Sequence, residues 1–147
     1  MSPQISDIKK YAFHEGDSFL FDANIWMLIY GPIANKDGRT EVYSAALRDI
    51  RKNNCLIFID VLILSEFINA FSRFEFNQLD PIIKPQKFKD FRNSAQFKSI
   101  AQEISINARK IIKICCRCDS MFESADLPNV LARYEQGNSD FNDQMII

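Results

Sequence analysis

The chain has 147 residues, 47% of them apolar and 25% charged, with a formal net charge of −1. Such a chain is one domain long enough to close a hydrophobic core, which excludes a disordered or fibrous protein. The near-neutral balance gives no global pull toward nucleic acid or a membrane surface, so any such binding must come from local clusters. No apolar run reaches the roughly 18–20 residues needed to cross a bilayer. The opening "MSPQISDIKKYAFHEGD" has no apolar segment of the secretory kind. The expectation is a cytoplasmic protein with no membrane partner.

In chain order, residues 1–17 are mixed in character and read as an extension ahead of a domain spanning 18–147. "SFLF" reads as a short buried strand ending at Asp22. "ANIWMLIY" then runs apolar for longer than most strands, so a helix starting just after Asp22 is the better parse, with Gly31 and Pro32 as its stop. "GPIANKDG" is a loop, and Thr40 to Lys52 repeats apolar residues at helical spacing. "CLIFID" is a second buried strand, rich in β-branched and aromatic residues, and "VLILSEFINAFSRFEF" returns to helical spacing.

Residues 77–94 contain two prolines and no long period, which predicts an extended excursion. "AQFKSIAQEISINARKIIKICC" is a long amphipathic helix, and "MFESA" reads as a short third strand. "DLPNVLARYEQG" has the start and stop signals of a helix, with Asp126 as cap, Pro128 in the first turn and Gly137 as terminator. "NSDFNDQMII" opens one more helix. Fully apolar strands alternating with helices imply an α/β fold with a parallel sheet covered on both faces.

Cys55 stands alone in an apolar stretch, while Cys115, Cys116 and Cys118 crowd into "CCRC". Paired metal-binding thiols usually have two residues between them, and the only histidine, His14, lies far upstream. Reduced, partly buried thiols at a helix end are the expectation.

The carboxylates carry more. Parallel sheets place ligands beyond the carboxyl ends of their strands, which is where Asp22 and Asp60 fall. Either can simply cap the helix that follows it, and for Asp60 the cap is the preferred reading. Asp140 is likewise a natural cap, with Asp143 favourably placed near the positive end of the helix dipole. Glu66 lies between Leu64 and Phe67 on an apolar helix face, where a carboxylate calls for a partner. Carboxylates gathered at one edge would repel each other and raise their own pKa values, a conflict that a divalent cation removes. Oxygen-only donors suit Mg²⁺ or Mn²⁺, and such a site suits phosphodiester hydrolysis.

In "FLFDANIW", "LILSEFINAF" and "SDFNDQMII" the sequence resembles the PIN-domain ribonucleases over nearly all of residues 18–147. The resemblance implies a three-layer α/β/α fold with a central parallel sheet and metal-dependent cleavage of RNA. It assigns Asp22, Glu66 and Asp143 as catalytic metal ligands, Asp140 as a further ligand or a cap, and Asn24 as the residue that steadies Asp22 or its water. It also implies, as partners, RNA and a small antitoxin protein, since many relatives are toxins. The family pattern continues into another strand and a fourth acid, whereas this sequence ends at "QMII". That departure implies missing final strands and an uncovered sheet edge, which a second copy could cover as a homodimer.

Other enzyme classes fit less well. A haloacid-dehalogenase-type phosphotransferase wants a second Asp where Asn24 stands, and the four glycines form no phosphate-cradling loop. The alternative from a different class is a catalytically inactive PIN-like module for interaction or RNA binding. For substrate, Lys84, Lys87, Lys89 and Arg92 interleave with Phe88, Phe91 and Phe97. Cations can follow phosphates while aromatics stack on bases, but core packing is the preferred reading for the phenylalanines. Arg109, Lys110, Lys113 and Arg117 form a similar basic face.

Overall fold

Three short strands run side by side in one direction: β1 (Ser18–Leu20), β2 (Leu56–Ile59) and β3 (Cys116–Arg117), in the order β1-β2-β3. The computed structural model describes residues 4–34, 36–119, 121–137 and 141–146. Parallel neighbours cannot be joined by a hairpin, so helices carry the chain back between them. After β1 come α1 (Ala23–Tyr30) and α2 (Arg39–Lys52); after β2 come α3 (Val61–Gln78), α4 (Phe88–Arg92) and α5 (Ala95–Ile114). Beyond β3 lie α6 (Leu127–Glu135) and α7 (Phe141–Ile146). The chain is therefore mixed α/β with a parallel sheet.

Two elements differ from the sequence expectation. The third strand is Cys116–Arg117, while "MFESA" forms a turn of 3-10 helix over Phe122–Ser124. Met121 starts that turn at φ 58°, a left-handed conformation that does not belong in a strand. The excursion at 77–94 contains α4, whose five residues are too few to show a helical period.

The core forms where Ile57 and Ile59 of β2 meet Trp26, Ile50, Ile63, Phe67, Phe71, Ile104 and Ile111 from α1, α2, α3 and α5. Ser18 pairs with Leu56 and Leu20 with Phe58, so these four side chains share the opposite face. There Leu20 and Leu56 remain 44% and 43% exposed, so this face is covered only in part. The excursion has a small aromatic cluster of its own. Phe91 is fully buried and packs against Phe76, Phe88 and Phe97, which agrees with a packing role for these rings.

Ahead of β1, Tyr11 and Phe13 pack edge-on or tilted against Phe19. Asp17 ties this segment down, accepting hydrogen bonds from the Tyr11 hydroxyl at 3.1 Å and the His14 amide at 3.0 Å. Helix α1 stops at Gly31. A Cβ there would run into the backbone of Met27, so the close return of the chain requires glycine.

All four cysteines are free, and Cys115, the residue that ends α5, packs against the core. Burial pushes its thiol up to about 12, with Cys116 adding to the shift. Between about pH 9 and 12 the unfolded chain releases this proton while the folded chain keeps it. The folded state then binds more protons, so this contribution to stability is complete below about pH 9 and declines as pH rises. Urea denaturation at about pH 8 and about pH 10.5 should therefore show Cys115→Ala losing less stability than the unaltered chain. Equal losses would place the thiol in water.

Candidate metal centre at the carboxyl edge of the sheet

Leu20 is level with Phe58 across the first strand pair. Two residues further along each strand stand Asp22 and Asp60, so the register carries both to the same edge of the sheet. Each turns the chain from an extended residue into a helix and accepts a hydrogen bond from a free amide of the first turn. Asp22 Oδ1 accepts from the Ile25 N–H at 3.0 Å, and Asp60 Oδ1 from the Ile63 N–H at 2.9 Å. Both acids are thus helix caps. They differ in exposure: Asp22 is open to solvent, whereas Asp60 is buried.

The second pairing brings a third acid to this edge. Phe58 is level with Cys116 and Ile59 with Arg117, and the Cys118 amide donates to the Ile59 carbonyl at 2.9 Å. Burial raises the Cys118 thiol, and the nearby carboxylates of Asp60 and Asp119 raise it further. Asp119 lies two residues past the end of β3 and does not stand out in the sequence. Its signal is the same as for Asp22 and Asp60, an acid just past a strand, but it is hidden while the third strand is expected at "MFESA".

Glu66 lies six residues beyond Asp60 on α3, about 9 Å along the helix axis. It is half-buried, and its Oε1 accepts a hydrogen bond from the Asn142 side-chain amide at 3.0 Å. This bond joins α3 to α7 across 76 positions of sequence and brings the helix that carries Asp143 to Glu66. Asn142 is the second residue that sequence reasoning misses. Only its place beside Asp143 in "SDFND" hints at it.

The other expected residues are placed as follows. Asp143 is exposed in the first turn of α7. Asp140 lies outside the described residues. Asn24 is exposed on α1, and Asp22 is held by the backbone of Ile25 rather than by the Asn24 amide. Lys84 and Arg92 rest on aromatic rings, with Lys84 Nζ 4.6 Å from the Phe76 centroid and Arg92 Cζ 5.9 Å from that of Phe88. Lys87 precedes α4 and Lys89 lies within it, so all four belong to the aromatic excursion.

The donors suit a hard divalent cation, because they are carboxylate oxygens with an amide nearby. Their spacing is looser than a formed site requires. Among the described residues, no three His, Cys, Asp or Glu side chains stand close enough to share one ion. What is fixed is the backbone frame, with two caps at adjacent strand ends and Glu66 tied to the last helix.

The cap role of Asp60 has a direct test. Asparagine caps a helix about as well as aspartate, whereas alanine gives the amide no acceptor. Urea denaturation should show Asp60→Ala losing about 1–2 kcal/mol and Asp60→Asn losing about 0.5 kcal/mol or less. Equal losses would mean that the charge, and not the cap, holds this position.

Compared with known proteins, the chain matches no family model, no curated protein and no solved structure, so the site is read from its own geometry.

Proposed function

We propose that the chain is a PIN-like, divalent-metal-dependent ribonuclease whose centre is Asp22, Glu66 and Asp143, with the three-layer arrangement that this family implies. The observation that carries the reading is the hydrogen bond from Asn142 to Glu66. It recruits a late acidic helix to a half-buried carboxylate on α3, the helix that Asp60 caps. A half-buried carboxylate on an apolar helix face calls for a partner, and here that partner comes from the residue beside a further acid, Asp143.

In this reading Asp22 and Glu66 each keep one carboxylate oxygen clear of the bonds that orient them, since the Ile25 amide takes Oδ1 and Asn142 takes Oε1. Asn142 acts through Glu66, fixing which oxygen faces the site. Mg²⁺ or Mn²⁺ bound here supplies Lewis-acid chemistry, activating water and countering charge on a phosphate. Asp143 extends the donor set from α7.

One observation favours the inactive PIN-like module instead: the described carboxylates do not gather three to an ion. A single assay separates the two readings. Purified chain is incubated with a labelled single-stranded RNA in Mn²⁺, with an EDTA control. Nuclease function predicts cleavage that Asp22→Asn and Glu66→Gln reduce to the EDTA level. Asn142→Ala should slow it by about 10- to 100-fold, as loss of a ligand-orienting partner does. Cleavage that survives both carboxylate substitutions would rule out this centre, and RNA binding without cleavage would establish the module.

A further inference from the structure

The opposite edge of the sheet has the opposite character. Helix α1 runs back from Asp22 for eight residues, about 12 Å, and ends at Tyr30. The C-terminal portions of α2 and α5 end at this same edge, because each leads into the next strand. Here Tyr30, Arg51, Cys55, Lys110 and Lys113 line a cleft of about 470 Å³. A second cleft of about 490 Å³ shares Tyr30 and Arg51 and adds Arg48. Four cations are thus spread along two adjoining hollows with one aromatic ring between them.

Cations near helix ends have an ordinary explanation, because they complement the negative end of the helix dipole. That accounts for Arg51 and Lys113, which lie in the last turns of α2 and α5, but not for Arg48 or Lys110, which lie further in. Magnitudes decide the rest. Three helix ends contribute roughly half a negative charge each, well short of four full positive charges. No side-chain carboxylate comes within ion-pair distance of any of the four among the described residues. The nearby acid, Asp17, is engaged by Tyr11 and His14. Lys110 makes only a long contact to Asn107 at 3.5 Å and lies 6.0 Å from the Tyr30 ring centroid.

We propose that this double cleft binds a single-stranded nucleic acid, with successive phosphates following Lys113, Lys110, Arg51 and Arg48 and a base against Tyr30. Cations drawn out along a trench suit a chain of phosphates better than one compact anion, and an aromatic wall accepts any base. The cleft meets α1 at Tyr30, the opposite end of that helix from its cap Asp22. Its binding therefore stands apart from the proposed cleavage and is measurable without metal. It also differs from Lys84 and Arg92, whose charges already rest on rings.

The test is fluorescence anisotropy with a labelled oligothymidylate of about twelve nucleotides, in EDTA, from about 50 to 200 mM salt. Binding should weaken as salt rises. Lys110→Ala with Lys113→Ala, both at exposed positions, should weaken it about tenfold and lower the salt slope by about 1.4, or about 0.7 for each phosphate no longer neutralised. Arg48→Ala with Arg51→Ala should do the same. Lys9→Ala with Lys10→Ala, exposed and outside both clefts, should leave binding unchanged. An unchanged affinity and slope in both cleft pairs would overturn the proposal. So would polyglutamate displacing the strand as well as an unlabelled oligonucleotide does, since the cleft would then select acidic polypeptide.

Discussion

The parallel pairing of β1 with β2 is the constraint on which the rest of the structure depends. Strands that point the same way must be joined by crossovers, so helices leave the sheet at one edge and return to the other. The first helix of each crossover therefore starts at the carboxyl edge and the last one ends at the opposite edge. The register places Asp22 and Asp60 at neighbouring starts, where each satisfies an amide that would otherwise lack a partner. The same geometry gathers Arg51 and Lys113 where helices end.

A protein with a net charge of −1 is therefore far from electrically uniform. Acids at one edge and bases at the other complement the helix dipoles, so charge separation of this kind accompanies the fold without any functional demand. Function has to be argued from what exceeds that demand. Among the acids the excess is Glu66, which caps nothing and instead receives Asn142 from α7. At the basic edge it is Arg48 and Lys110, which lie short of the final turns yet line the clefts.

Much of this was legible in the sequence where a local rule applied. Asp22, Asp60 and Asp126 were readable as helix starts, and each accepts a hydrogen bond from an amide of the first turn. The long helices followed from apolar spacing because α3 and α5 bury one face along many turns. Short elements were not legible. A two-residue strand such as Cys116–Arg117 has no period, and its place is set by hydrogen bonding to β2 rather than by its own side chains. Losing that strand also hid Asp119. The Glu66–Asn142 bond was beyond local reasoning altogether, since nothing in either neighbourhood names a partner 76 positions away. Tyr30 and the two clefts were hidden for the same reason, because they exist only once α1, α2 and α5 end together.

The central claim is that the carboxyl edge holds a divalent cation through Asp22, Glu66 and Asp143. Paramagnetic Mn²⁺ tests it most directly, because it broadens the nuclear magnetic resonances of groups beside it more than those of distant ones. Titrated into the isotope-labelled chain at low occupancy, Mn²⁺ should broaden the amides of Asp22, Glu66, Asn142 and Asp143 first and most, with Tyr30, Arg51 and Lys113 broadened less and later. Broadening that spares Asp22 and Glu66, or that spreads evenly over exposed acids, would contradict the account.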